Sequence, residues 1–458
     1  MTSVNADRLR DLLAREEASF VALHPESARL SQEAQAHLLS GVPMAWMTRW
    51  PGAFPLHFRE AKGAHFTDAD GLDYLDLCLG DTGAMTGHGL PQVAEALYAQ
   101  AKRGITTMLP SAGETGAGEP DGTWVAAELA RRFGLPSWQM AMTATDANRF
   151  VIRLARQLTG RRKILVFDYC YHGTVEEALV MQGEGGEVLP RPGNLGWGAH
   201  PDQIARIAQF NDLESVEEAL KHGDVAAVLT EPALTNIGIV LPQPGFLEGL
   251  RELCDRHGAY LILDETHTLC TGPGGATRAW NLCPDFFVIG KPLGGGMPAA
   301  AYGMTSEIAE RLAPFLRSVD VDVSGIGGTL TGNALALAAM RATLSGSLRQ
   351  EDFDVAIPLA ASWATGVQGV IEQYGLPWTV QLLGCRAEYW FCPAPLDGRE
   401  AAAVGNADLD AYLHLYLLNR GILMTPFHNM ALLSPHHTRA DVDRHTEVFG
   451  AAVAELLG

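Results

Sequence analysis

Five short apolar runs constrain the fold of this chain more than anything else in it: WQMAMT (138–143), KILVFD (163–168), VAAVLT (225–230), YLILDE (260–265) and FFVIGK (286–291). Each is rich in Val, Ile, Leu or aromatic residues and lacks the alternation of a half-exposed strand. Each is therefore expected to be a strand covered on both faces. The stretches between them read as helices; DANRFVIRLARQLTG, for example, closes at Gly160, a residue suited to a left-handed helix end. Alternating β and α segments imply an α/β fold, a doubly wound and mostly parallel sheet with helices on both faces. A chain of 458 residues leaves room for a second, smaller domain. After about residue 340 the pattern becomes a helix, the strand-like GCRAEYWFCP, the helical NADLDAYLHLYLLNRG and a final amphipathic helix. The expected organisation is an N-terminal segment over 1–60, a large α/β domain over 61–340 and a small α+β domain over 341–458, with the N-terminal segment packed on the small domain. FTDADGLDYLDL, after a Pro- and Trp-rich connection, reads as a hairpin.

Composition narrows the class of partner. The 53 acidic residues outweigh the 33 basic ones, for a formal charge of -20, which argues against a nucleic-acid or anionic-membrane partner. No apolar run reaches the roughly 18 residues of a membrane span. The start, MTSVNADRLRDLLAREEASF, lacks the apolar core of a secretory signal, so a cytoplasmic protein is expected. Seven cysteines form no CxxC pair and read as reduced thiols, not as a disulfide framework or a zinc site.

Ligands of open α/β sheets collect at the carboxyl ends of the strands, so polar residues there are the candidates. Lys291 ends FFVIG and enters the Gly-rich PLGGGMP, where burial would lower its pKa as a Schiff-base amine requires. Pro292 stands where a Walker A motif needs Ser or Thr; the ordinary alternative is a lysine snorkelling from a strand end. Asp264 ends YLIL and needs a cation or several donors, an ion pair or helix cap being the plainer reading. A metal site from Asp264, Glu265 and His267 is disfavoured because consecutive ligands seldom converge. Thr143-Ala144-Thr145-Asp146 opens a helix, an arrangement that seats an anion or simply caps. Tyr171, after the 163–168 strand, could stack on a flat ligand or serve as a core aromatic. The loop GGTLTGN (327–333) could bind phosphate or simply turn. Together these residues suit one ligand with a phosphate, a flat cationic ring and a carbonyl for the lysine. Pyridoxal phosphate fits all three; a nucleotide would not explain the lysine.

With these motifs in order, from GHGLP (87–91) to RGILMTPFHN (420–429), the chain resembles the class III aminotransferases of the fold-type I pyridoxal phosphate enzymes, the group that includes ω-amino acid transaminases and glutamate-1-semialdehyde aminomutase. The resemblance implies that Lys291 carries the Schiff base and moves the substrate proton, and that Asp264 pairs with the pyridinium nitrogen. It implies phosphate binding by the N–H groups of Ala144 and Thr145, stacking by Tyr171, and Thr266 against the other ring face. It further implies Glu231 near the cofactor, and Thr329 on the phosphate of a neighbouring subunit, hence a homodimer with shared sites.

Two departures stand out. The phosphate motif, usually Ser-Gly-Thr-Glu-Ala, has Thr143, Ala144 and Asp146 instead. DETHT (264–268) replaces the usual Val and Gln or Met, and so places the imidazole of His267 near the cofactor, either as a titratable group or as a hydrogen-bonding substitute for Gln. Arg49 and Arg386 are the expected holders of an acidic substrate, with Trp46, Met47 and Trp50 at an apolar pocket mouth. An ion pair with Glu388 is the plainer role for Arg386. The expected reaction is amino transfer between an amine or ω/β-amino acid and a keto acid. A lyase eliminating from an amino alcohol or phosphorylated amine, and an intramolecular aminomutase, are alternatives.

Overall fold

Seven strands make the main sheet: β1 (Ser137–Ala141), β2 (Lys163–Phe167), β3 (Ala205–Ala208), β4 (Val225–Thr230), β5 (Tyr260–Asp264), β6 (Phe286–Ile289) and β7 (Ala300–Met304). The structure is a computed structural model describing residues 4–112, 121–317 and 324–458. The strand order is β1-β7-β6-β5-β4-β2-β3. Only β7 runs antiparallel, pairing with β6 on one side and β1 on the other. The other strands therefore point the same way, and their carboxyl ends share one edge. Every residue of β4, β6 and β7 is buried, as unalternating sequences require. Each fully buried Val, Leu, Ile or Phe contributes roughly 1.5–3 kcal/mol.

Helix α1 (Ala144–Thr159) follows β1 and buries Ala147, Phe150, Val151, Ile152, Leu154 and Ala155 along one face. Thr143 caps its start by accepting the Asp146 N–H, and Gly160 ends it at φ 68°. The cap is thus Thr143, two residues before Thr145 and three before Asp146.

The sheet belongs to a compact unit formed by Pro91–Gln350 and Pro395–Ala403. The short return is tied in by Leu396, whose carbonyl accepts from Asn211 Nδ2 (2.7 Å), and by Arg399, which reaches Asp168 (3.4 Å).

A second unit comprises the residues up to Leu90, Glu351–Ala394 and Val404–Gly458. Residues 61–90, expected with the sheet domain, group here instead. The hairpin of His65–Asp68 and Asp73–Asp76 continues a sheet in which Asp73–Asp76 pairs in parallel with Ile422–Leu423. A three-stranded sheet of Thr379–Leu383, Arg386–Trp390 and Met430–Leu432 lies in the same unit. Its core gathers Trp363, Tyr389, Tyr412 and Phe449. No helix among the described residues is long and apolar enough to cross a membrane.

Candidate active site

The carboxyl edge of the sheet brings together residues far apart in sequence. β5 and β6 are parallel neighbours with Asp264 opposite Val288, and the Glu265 N–H donates to the Val288 carbonyl (2.9 Å). Asp264 therefore ends one strand beside the strand that leads to Lys291.

Asp264 is buried and held by four donors. Asn148 Nδ2 (2.9 Å) and His172 Nδ1 (3.0 Å) meet one oxygen; the Thr266 N–H (3.1 Å) and hydroxyl (2.6 Å) meet the other. Burial alone would raise its pKa, but the hydrogen bond and charge of His172, with Thr266 and Asn148, outweigh it and hold the carboxyl near about 2. Burial likewise opposes a charge on His172, yet Cys170 and Asp264 lift the imidazole to about 10. The pair is thus a carboxylate and an imidazolium sealed together. The Asn148 Nδ2 also donates to the His172 carbonyl (3.1 Å), which fixes the segment after β2 against α1. Sequence reading missed both partners, although each left a signal. Asn148 is a polar residue on the apolar face of an amphipathic helix, and His172 directly follows the noted Tyr171.

Lys291 begins the turn after β6 with φ 30°, a left-handed value that a non-glycine residue adopts only under constraint. Its Nζ lies 2.8 Å from His267 Nε2. Gly290, just before it, abuts the start of α1: a Cβ there would come within 2.9 Å of the Ala144 Cβ and 3.1 Å of the Ala144 nitrogen. Gly173 approaches the same helix start, where a Cβ would lie 2.9 Å from Thr145 Cα, and the Thr174 N–H donates to the Thr145 hydroxyl (3.1 Å). The Ala144 and Thr145 N–H groups precede Ala147, whose N–H is the first with an acceptor in the helix (the Thr143 carbonyl, 3.0 Å), so α1 leaves them for a ligand.

The remaining candidates fall as follows. Glu231, just past β4, is buried and takes both the N–H (3.3 Å) and the hydroxyl of Thr235; burial pushes it up to about 7. Thr266 gives its hydroxyl to Asp264. Tyr171 is half-buried beside His172. Thr329 is exposed and lines a cleft of ≈ 470 Å³ with Met142, Asp146 and Arg149. Asp264, Glu265 and His267 go to different partners: Glu265 accepts from the Ala276 N–H (2.7 Å) and the Thr268 hydroxyl (2.9 Å), which makes it a structural anchor for the next turn.

In the other unit, Arg386 is buried and donates to the Thr82 hydroxyl (2.6 Å). Thr82 ends a turn in which Leu79, Asp81 and Thr82 all have positive φ. Arg49 is exposed, and Trp46 meets Phe427 edge-on at 5.9 Å.

The sheet-edge residues fit pyridoxal phosphate. An ionised, buried carboxylate suits a pyridinium N–H, and the Thr266 hydroxyl can rotate away to yield it an oxygen. The two glycines hold their loops against free helix amides, and a lysine amine lies on the neighbouring strand end.

A family model for the class-III aminotransferases matches residues 46–358. Glutamate-1-semialdehyde 2,1-aminomutase of Nitratidesulfovibrio vulgaris is 34% identical over 392 residues, covering 85% of this chain and 89% of that protein. The crystal structure of a glutamate-1-semialdehyde-aminomutase from Pseudomonas aeruginosa PAO1 superposes with a TM-score of 0.95 at 48% identity, covering 99% of each chain. A Lys-to-Ala variant of that protein, solved in complex with PMP, gives the same score at 47% identity and the same coverage.

Proposed function

This chain belongs to the class-III aminotransferases, which makes it a pyridoxal phosphate enzyme, and on that premise we propose that it shifts an amino group between neighbouring carbons of one substrate, as an aminomutase does. The observation that carries this reading is the likeness, over 99% of both chains, to a structure described as a glutamate-1-semialdehyde-aminomutase. It replaces two-substrate transamination, the first expectation from sequence, as the leading reading. Transamination stays second on the strength of the family alone.

Bound pyridoxal phosphate supplies an electron sink for a carbanion at the substrate carbon. The chain does the rest. Lys291 supplies the tethering amine and carries a proton to and from the substrate carbon. Asp264, kept ionised by His172, Asn148 and Thr266, holds a proton on the ring nitrogen. The Ala144 and Thr145 N–H groups would bind the phosphate, Tyr171 would cover the ring, and Glu231 and His267 are assigned near the cofactor. Thr329 is assigned to the phosphate of a neighbouring subunit, which makes the working form a homodimer. Arg386 or Arg49 takes an acidic end of the substrate and Trp46 an apolar part.

The test is to give glutamate 1-semialdehyde carrying a labelled nitrogen, alone, to the cofactor-loaded protein. Expected is an isomer of equal mass with the nitrogen on the neighbouring carbon, and no free ammonia. Consumption only when a keto acid is added would establish the transaminase, released ammonia a lyase, and no consumption would remove this substrate.

A further inference from the structure

We infer that His267 is the proton partner of Lys291: its Nε2 takes a proton from the lysine nitrogen and returns it, so that the amine is neutral when it must attack. The inference deepens the proposed function and rests on it.

The geometry assigns the roles. Lys291 Nζ and His267 Nε2 are 2.8 Å apart. A lysine ammonium is donor-only, so toward it Nε2 must accept, which leaves the ring proton on Nδ1. When the proton crosses, Nε2–H donates back to the lone pair of the neutral amine. One proton thus serves two nitrogens: ammonium and imidazole become amine and imidazolium, with no net change of charge.

Both side chains are aimed by their backbones. His267 is three residues past Asp264, in the turn that Glu265 anchors through the Ala276 N–H. Lys291 is held at φ 30° at the start of its own turn. A Gln or Met at position 267 could orient the lysine or pack against it but could not take its proton.

Several ionisable groups sit on the surrounding elements. Asp264 ends the strand before His267 and Glu265 follows it; Glu231 and His172 follow the strands beyond it. Cys270 lies in the next turn and Arg278 in the helix Gly275–Ala279. Tyr302 is on β7, and Arg341 is on Ala334–Gly346, the helix packed on the Lys291 turn. Asp264 and His172 are closed on one another and Arg341 is paired with Asp121 (3.0 Å). His267 is at hydrogen-bond distance from Nζ, and an imidazole can both take and return a proton.

The experiment is competitive labelling of Lys291 by trace acetic anhydride across a pH series, with the Lys291 peptide quantified by mass spectrometry. It is run on cofactor-free wild type, His267→Gln and His267→Ala, alongside the pH dependence of the visible absorption of the loaded proteins. Expected is a step near neutral pH in the wild type that vanishes in both variants, with labelling at pH 7 reduced at least about tenfold. Gln should restore KM but not kcat. Superimposable wild-type and His267→Gln profiles, in labelling and in absorption, would overturn the inference and leave His267 as a positioning residue. Failure of the wild type to take up the cofactor would instead overturn the proposed function, since the labelling needs no cofactor.

Discussion

Two carboxyls at the same sheet edge, equally enclosed, are held at opposite ends of their range. Burial pushes Glu231 up to about 7, while Asp264 sits near about 2. The difference lies in their donors among the described residues: Glu231 accepts from Thr235, whereas Asp264 has an imidazolium, an amide, a hydroxyl and a backbone N–H. The consequence for stability follows from linkage. An acid whose folded pKa is raised binds its proton more tightly when folded, so stability is full below the unfolded pKa and is lost as pH climbs toward the folded one. Glu231→Gln removes that loss while keeping an oxygen for Thr235. Denaturant unfolding of the cofactor-free proteins should show the variant more stable by about 3 kcal/mol at about pH 8, and level with wild type near pH 4. An equal difference at both pH values would mean that packing, not ionisation, separates them. Asp264→Asn tests the other carboxyl. It removes the charge proposed to answer the ring nitrogen, and the dissociation constant for pyridoxal phosphate, read by fluorescence titration, should rise roughly tenfold to a hundredfold.

Among the elements, α1 and the two loops that close on its first turn form the proposed phosphate seat, and its tolerance is measurable. Gly173 has φ 79°, and a Cβ would drive into Thr145. Gly193 has φ 88° with nothing within 4 Å. Both substitutions to Ala pay for a left-handed alanine, about 1 kcal/mol, but only Gly173→Ala also overpacks the seat, by roughly 1–3 kcal/mol. Gly173→Ala should therefore weaken cofactor binding at least about tenfold while Gly193→Ala leaves it unchanged; equal affinities would detach the loop from the seat. The same scale shows what the sequence discloses. The central strands are legible because burial on both faces forces continuous apolar runs. β3, reading ARIA, is an edge strand whose Arg206 pairs with Asp224 (2.7 Å), and so it lacks such a run. β7, reading AAYGM, looks like no strand because Gly303 makes room for Trp138, whose ring a Cβ would meet at 2.8 Å. Lys291, Asp264 and Ala144 stand out as polar or small residues where strand physics asks for none. That Asn148 and His172 meet Asp264 does not show, since periodicity tells which way a side chain points and not what it meets after the chain returns from residue 264.

At the scale of the molecule, the unit built from three stretches of chain holds only if its distant segments close on each other, and Phe20 is where the first stretch meets the last. Its ring is fully buried with Phe66 and Tyr74 of the hairpin and with Leu415 and Leu418 of the helix Ala407–Leu418. A Cβ on Gly52 would lie 2.7 Å from that ring, so the connection after the first helices is also packed onto it. One turn later His24 bonds the Phe20 carbonyl through Nδ1 (2.6 Å) and the Tyr74 hydroxyl through Nε2 (2.7 Å), and Tyr74 in turn donates to Asp68 (2.9 Å). Glu16, one turn before, accepts from Asn419 (2.9 Å) and Arg420 (3.0 Å). Helix Ala6–Leu23 is therefore a wall of this unit, not an appendage. Phe20→Ala opens a cavity bounded by elements about 400 residues apart in sequence, none of which can collapse into it without breaking those hydrogen bonds. The cost should sit at the usual value for a buried ring, about 3–5 kcal/mol, with Phe20→Leu costing less. Urea unfolding followed by tryptophan fluorescence checks this, since Trp363 and Trp378 report on the same unit. A midpoint unchanged in Phe20→Ala would mean that this ring, and the closure of the first helix onto the unit that it makes, adds nothing to the stability of the fold.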